Sequence, residues 1–301
     1  MTVTATLRIG TRRSRLARVQ AEIVSRALAA AGTAEMIELV EISTHGDALS
    51  SAHPRGGFEA TDGQFTAELG AAVRDGRVDL AVHSYKDLPT TSDGSTALAA
   101  VLPRADARDC LVGGSAGLAS LPPGAVVGTG SVRRTAQLLA ARPDLEFRPI
   151  RGNVETRIRR VQEGEYDAVV LACAGLDRLG IRVAEAARLP FEVLLPAPAQ
   201  GALAVEVRRD RRELIRRLAA IDHALTRLAA ATERELLAHI GGGCLSPLGT
   251  YAEVADGRLR LRAALAVNGR IMRADVTGGA RERGRIVEAV AHRLLAAEDP
   301  R

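Results

Sequence analysis

"LRIGTRRSRLARVQAEIVSRALAAA", residues 7–31, begins as a short apolar strand and continues with Leu16, Val19, Ile23, Ala27 and Leu28 at helical spacing. A strand that hands over directly to an amphipathic helix is the repeating unit of α/β proteins, and this chain repeats it. Further strand-like runs stand at "MIELVEIS" (36–43), "VDLAVHS" (78–84), "AVVGTGS" (125–131), "LEFRPI" (145–150) and "YDAVVLA" (166–172). Their apolar density reads as burial on both faces, so the expected fold is α/β with largely parallel sheets covered by helices.

A chain of 301 residues has room for two or three domains. "VLPRADARDC" (101–110) reads as a hinge between two similar α/β units, and "LPAPAQG" (195–201) as a return crossing. From about 220 a long helical pattern leads through "GGGCLSP" into strand-like runs at 248–255, 258–267 and 270–276, then a final helix. The expected organisation is domain 1 over 1–102 and 198–219, domain 2 over 103–197, and a small α+β domain 3 over 220–301.

Net charge is +5, which admits a nucleic-acid partner. Four Phe, three Tyr and no Trp, scattered along the chain, supply no stacking platform for single strands, so the expectation is no nucleic acid. Cys110, Cys173 and Cys244 are too widely spaced for C-x-x-C chemistry, and no metal site is expected. Without a basic segment leading into an apolar h-region, or an apolar run of about 18 residues, the expected location is the cytoplasm, with no membrane contact.

Arginine dominates the basic residues so completely that Lys86, in "LAVHSYKDLP" (80–89), is the sole lysine. Three strand-to-helix junctions concentrate cations: "GTRRSRLA" (10–17), "GTGSVRRTAQLL" (128–139) and "RGNVETRIRR" (151–160). Ser14, Ser131 and Asn153 are the expected N-caps. Arg12, Arg13, Arg133, Arg134, Arg151 and Arg157 then sit near the positive ends of helix dipoles, at a cost of about 0.3–1 kcal/mol each when exposed. Arg-rich helices can simply solvate themselves. Three such junctions together nevertheless call for a compensating anion, and guanidinium forks at helix N-termini suit carboxylate or phosphate. Neither a complete dinucleotide fingerprint nor a P-loop is present, which favours a ligand with several carboxylates over a nucleotide.

Asp87 follows a strand ending at that ligand edge. A carboxylate there can hold an N–H-bearing or cationic group and move a proton, or serve as an N-cap or a surface ion pair. Cys244 lies in an open, glycine-flanked loop as a candidate nucleophile or attachment point, whereas Cys110 and Cys173 read as buried apolar cysteines.

In this order, "LRIGTRRSRLA", "THGD", "VDLAVHSYKDLP", "VVGTGSVRR", "RPDLEFRPIRGNVETR", "GEYDAVVLACAGLDRLG", "LPAPAQGALAVE" and "GGGCLSPLGTYAE" resemble the porphobilinogen deaminase (hydroxymethylbilane synthase) family. The resemblance implies two periplasmic-binding-protein-like α/β domains with a cleft between them, plus a small α+β C-terminal domain. It implies a transferase of heme and porphyrin biosynthesis; the expected state of the chain, which the sequence itself does not give, is a monomer. Such an enzyme joins four porphobilinogen molecules with release of ammonia, giving the linear tetrapyrrole hydroxymethylbilane. The implied cofactor is dipyrromethane, held by a thioether to Cys244, and the implied catalytic residue is Asp87. Cofactor contacts carry over to Ser84, Lys86, Asp87, Thr129, Ser131, Arg133 and Arg134. Substrate contacts carry over to Arg12, Ser14, Arg151, Arg157, Arg178 and Gln200.

The chain departs from the family at "SSAHPRGGFEATDGQF" (50–65), where many members have G-K-G-x-F, and at Gly241, Leu245 and Ser246 around the cysteine. The principal alternative is a two-lobed carboxylate- or phosphate-binding protein without catalysis; such a protein would carry an export signal and would need no cysteine.

Overall fold

β1 (Leu7–Arg12) passes through Ser14 into α1 (Arg15–Ala30) in the computed structural model, which describes residues 6–34, 36–44, 66–91, 94–114, 117–241 and 246–296. The Ser14 hydroxyl accepts a hydrogen bond from the Ala17 N–H at 3.3 Å and so closes the first turn. α1 buries Ala17, Gln20, Ala21, Val24 and Leu28, a face turned by about one residue from the expected one. Small alanines let the helix axis approach the sheet, and the bulkier Leu16, Val19 and Ile23 flank the contact half-buried.

The first lobe continues with β2 (Ile37–Ile42), α2 (Ala67–Arg74), β3 (Leu80–Ser84) and β4 (Thr96–Val101). Its sheet has the order β2-β1-β3-β9-β4, where β9 is Leu203–Arg208, with β1 parallel to β2 and β3. The second lobe contains β5 (Asp109–Val112), β6 (Val126–Gly128), α3 (Val132–Ala141), β7 (Glu146–Arg148), α4 (Val154–Gln162), β8 (Ala168–Ala172) and α5 (Cys173–Arg178). Its sheet order is β5-β8-β6-β7, with β6 parallel to β7 and β8. The chain then returns to the first sheet as β9 (Leu203–Arg208), antiparallel to β3 and β4, and closes that lobe with α6 (Arg212–Leu218).

After α7 (Ala224–His239) come β10 (Leu248–Ala255), β11 (Arg258–Val267) and β12 (Arg270–Gly279), an antiparallel meander, and α8 (Arg283–Leu295). Leu236, Leu259, Leu261, Val290 and Leu294 form the aliphatic centre of this third unit.

Three strands depart from the expectation. β4 and β9 fall where no strand is expected, and β5 begins in the stretch expected as hinge. β5 and β9 run antiparallel to their neighbours because each enters its sheet straight from an interlobe crossing, with no helix to reverse it. The expected burial on both faces holds for β3 and β8 but not for β2, an edge strand, or for β7, whose end residues are exposed. The crossings touch at Gly201, where φ is +90° and a Cβ would stand 2.6 Å from the Ala105 carbonyl oxygen. Only glycine fits so close an approach.

Candidate functional site: a cation-lined cleft between the lobes

The carboxyl ends of β1, β3 and β8 converge on one cleft, the place where open α/β sheets bind ligands. It has a volume of about 330 Å³. From the first lobe come Arg12, Ser14, Ser84, Lys86 and Asp87; from the second come Arg134, Arg151, Glu155, Arg157 and Arg178; from the return crossing comes Gln200. Ten expected site residues therefore meet in one place, although they span nearly two hundred positions of sequence. Six lining cations face two carboxylates, Asp87 and Glu155.

Ser131 and Asn153 cap their helices as expected, accepting from Arg134 N at 3.4 Å and Thr156 N at 2.8 Å. The anion compensating the α3 junction is partly internal, which corrects the view of that arginine pair as wholly ligand-directed. Buried Asp109 takes Arg133 Nη2 at 2.9 Å and Arg134 Nη2 at 2.7 Å. Arg133 also donates to the Leu195 carbonyl at 2.6 Å, and it does not line the cleft. Arg134 does, and its buried Nε has no acceptor among the described residues. Burial opposes ionisation of Asp109, but the Arg134 and Arg133 charges outweigh it and hold the carboxyl well below the usual carboxylate range.

Thr129 and Ser131 line a different cavity, between α3 and the β11–β12 hairpin, so the structure does not bring these two expected contacts into the main cleft. Cys244 lies outside the described residues, as does the whole of 48–64.

Lys86 donates from Nζ to Gln200 Oε1 at 3.1 Å, while Gln200 Nε2 donates to Asp109 Oδ1 at 2.9 Å. Burial pushes the Lys86 pKa down to about 8, against the pull of Asp87. Arg157 and Arg178 are each lowered to about 10 by burial, Arg157 further by repulsion from Arg134 and Arg151. Their donated bonds go to neutral carbonyls, Gly152 at 2.9 Å and Gly201 at 2.6 Å. Cations held this unfavourably gain from an incoming polyanion. Among the described residues none is hydrogen-bonded to the Asp87 carboxylate.

Asp109, Glu155 and Glu233 went unnoticed in sequence. Asp109 was hidden in a stretch that read as hinge. Fully buried Glu233 on α7 takes both Arg104 Nη atoms, at 2.6 and 2.9 Å, and the backbone N–H groups of Ala199 and Ala252, each at 2.6 Å. It thereby ties both crossings to the third unit. No local pattern could have signalled it, because every partner is distant in sequence.

Two α/β lobes closing on a crevice with surplus positive charge define a two-lobed protein with a site suited to an anionic ligand. The chain matches two family models: the porphobilinogen deaminase dipyrromethane cofactor binding domain over residues 7–216, and the porphobilinogen deaminase C-terminal domain over residues 227–296. It belongs to the porphobilinogen deaminase family. The porphobilinogen deaminase of Roseiflexus sp. (strain RS-1) is 44% identical over 96% of both chains, and that of Acidothermus cellulolyticus is 50% identical over 85% of this chain and 78% of its own. Among solved structures, the methionine-binding protein MetQ shares 12% identity at a TM-score of 0.43, covering 79% of this chain and 96% of its own, a likeness too slight to add to the topology.

The family's activity is that of a transferase of tetrapyrrole biosynthesis, and its cofactor is dipyrromethane. The purely ligand-binding alternative is not favoured. No described helix is long and apolar enough to cross a membrane.

Proposed function

We propose that Asp87 is the catalytic carboxylate of this porphobilinogen deaminase and that the surrounding cations hold the carboxylates of cofactor and substrate. The observation that carries this reading is the placement of Asp87 in a cleft whose other charged groups are mostly cations. Porphobilinogen bears an acetate and a propionate, so each added unit brings two negative charges. Arg12, Arg151, Arg157 and Arg178, which line the cleft, would receive them, with Ser14 at the α1 cap beside Arg12.

The cofactor is likewise a polycarboxylate, and the acceptorless Arg134 Nε beside half-buried Lys86 fits such a group. Lys86, Arg134, Ser84 and Asp87 would hold it, with Cys244 as its thioether anchor. When bound, it supplies the primer on which units are added. Arg133 acts one step back, by fixing Asp109 and through it Arg134.

As ammonia leaves the substrate, positive charge develops on the pyrrole nitrogen, and the fixed Asp87 carboxylate stabilises it. The same oxygen pair can accept the proton lost when the new carbon–carbon bond forms. Asp87→Asn is expected to fold and bind porphobilinogen while losing at least about 100-fold in kcat. Turnover within a factor of three of the parent would remove the assignment. Intact mass with peptide mapping tests the anchor: a two-pyrrole adduct on the Cys244 peptide is expected, and active protein without it refutes that assignment.

We further propose a monomer in the cytoplasm, built from units bounded near residues 102, 198 and 220. The three separate sheets support that division.

A further inference from the structure

The turn that carries Lys86 and Asp87, Tyr85–Asp87, hardly holds itself. Its one closing hydrogen bond, Leu88 N–H to the Tyr85 carbonyl, is 3.4 Å long, at the weak end for an amide. The turn is instead gripped from outside. Arg234, on α7 of the third unit, donates from Nη1 to the carbonyls of Tyr85 at 3.2 Å and Leu88 at 2.8 Å, and from Nη2 to that of Pro89 at 2.5 Å. Its guanidinium also stacks on the buried Tyr85 ring, 4.7 Å from the centroid. Among the described residues Arg234 pairs with no carboxylate, and three of its five N–H donors serve this one turn.

Tyr85 N–H anchors the entrance of the turn on the Ala202 carbonyl at 3.0 Å, and the guanidinium spans its exit. Between the two fixed ends, Asp87 has little freedom to change its direction. The neighbour of Arg234 on the helix, Glu233, holds Arg104 and both interlobe crossings, so α7 is itself firmly seated. We propose that Arg234 is a positioning residue for catalysis: the third unit orients the Asp87 carboxylate through a guanidinium clamp on the backbone of its turn. This rests on the catalytic reading of Asp87. A planar fork presents two nitrogens at a fixed spacing to the three carbonyls, whereas an ammonium gathers its three donors on one nitrogen at the end of a flexible stem and lacks that span.

The test uses holoenzyme variants Arg234→Lys, Asp87→Asn and the double variant, each checked for the adduct mass and for cooperative unfolding. Displacing a catalytic group by about 1 Å costs on the order of 100-fold. Arg234→Lys is therefore expected to lose about 10–100-fold in kcat with KM within about twofold, and to speed amide exchange at 85–88 but not within β3. Because Arg234 acts through Asp87, the double variant should be no slower than Asp87→Asn alone. Unchanged kcat in Arg234→Lys overturns the proposal, as does a double variant in which the two losses multiply. Should Arg234→Lys fail to load its cofactor, exchange at 85–88 in that chain decides, and rates equal to the parent's overturn it. If Asp87→Asn is inactive and Arg234→Lys is normal, only the clamp fails; if Asp87→Asn is itself normal, the catalytic reading fails first.

Discussion

Asp109 shows how one buried carboxylate can organise a site it does not enter. It faces Arg133, Arg134 and the Gln200 amide, and Gln200 in turn accepts from Lys86. Removing one member of a buried ion cluster strands the others, at about 3–5 kcal/mol. Asp109→Ala should lower the urea stability of the protein by that amount, and a loss below about 1 kcal/mol would mean that the cluster relaxes or hydrates. The pH dependence has a definite sign. The folded Asp109 pKa lies below its unfolded value near 4, so the contribution is complete above about pH 4 and is lost as pH falls toward the folded value. Acid titration of stability should show this loss in the parent and not in Asp109→Ala.

At the scale of elements, the decisive features are the helix starts and the two crossings. Ser14, Ser131 and Asn153 cap three helices, and each cap brings a cation-bearing junction to the sheet edge. These were legible in sequence because a cap is a local event, involving a side chain and an N–H three residues on. The crossings were only partly legible. "VLPRADARDC" read as hinge, yet its last two residues begin β5, and the glycine of "LPAPAQG" is required by contact with Ala105, far away in the chain. Gly201→Ala should cost about 1–3 kcal/mol from the positive φ alone, and more from the clash, measured by urea denaturation. Retained stability would show that the crossings can separate.

For the whole molecule, the two lobes face each other across a surplus of positive charge, with the third unit braced against both crossings through Glu233. The Debye length falls from about 10 Å at 0.1 M salt to about 3 Å at 1 M. KM for porphobilinogen should therefore rise several-fold over that range while kcat changes far less. A flat KM would mean that the arginines act by short-range hydrogen bonding rather than by their summed field.

Sequence by itself determined the strand–helix alternation, the N-caps, the helices and three strands of the third unit and the family motifs, because periodicity, capping and motif spacing are local properties of the chain. It also carried the likeness of Lys86–Asp87 and the arginines to a polycarboxylate site. Only tertiary structure decided which arginines face the cleft, since Arg133 and Arg134 are neighbours in sequence yet divide between an internal carboxylate and the ligand space. It alone revealed Asp109, Glu233 and the Arg234 clamp. Their roles consist of contacts between residues some 19 to 149 positions apart, and a buried charge is placed by the partners that folding brings to it.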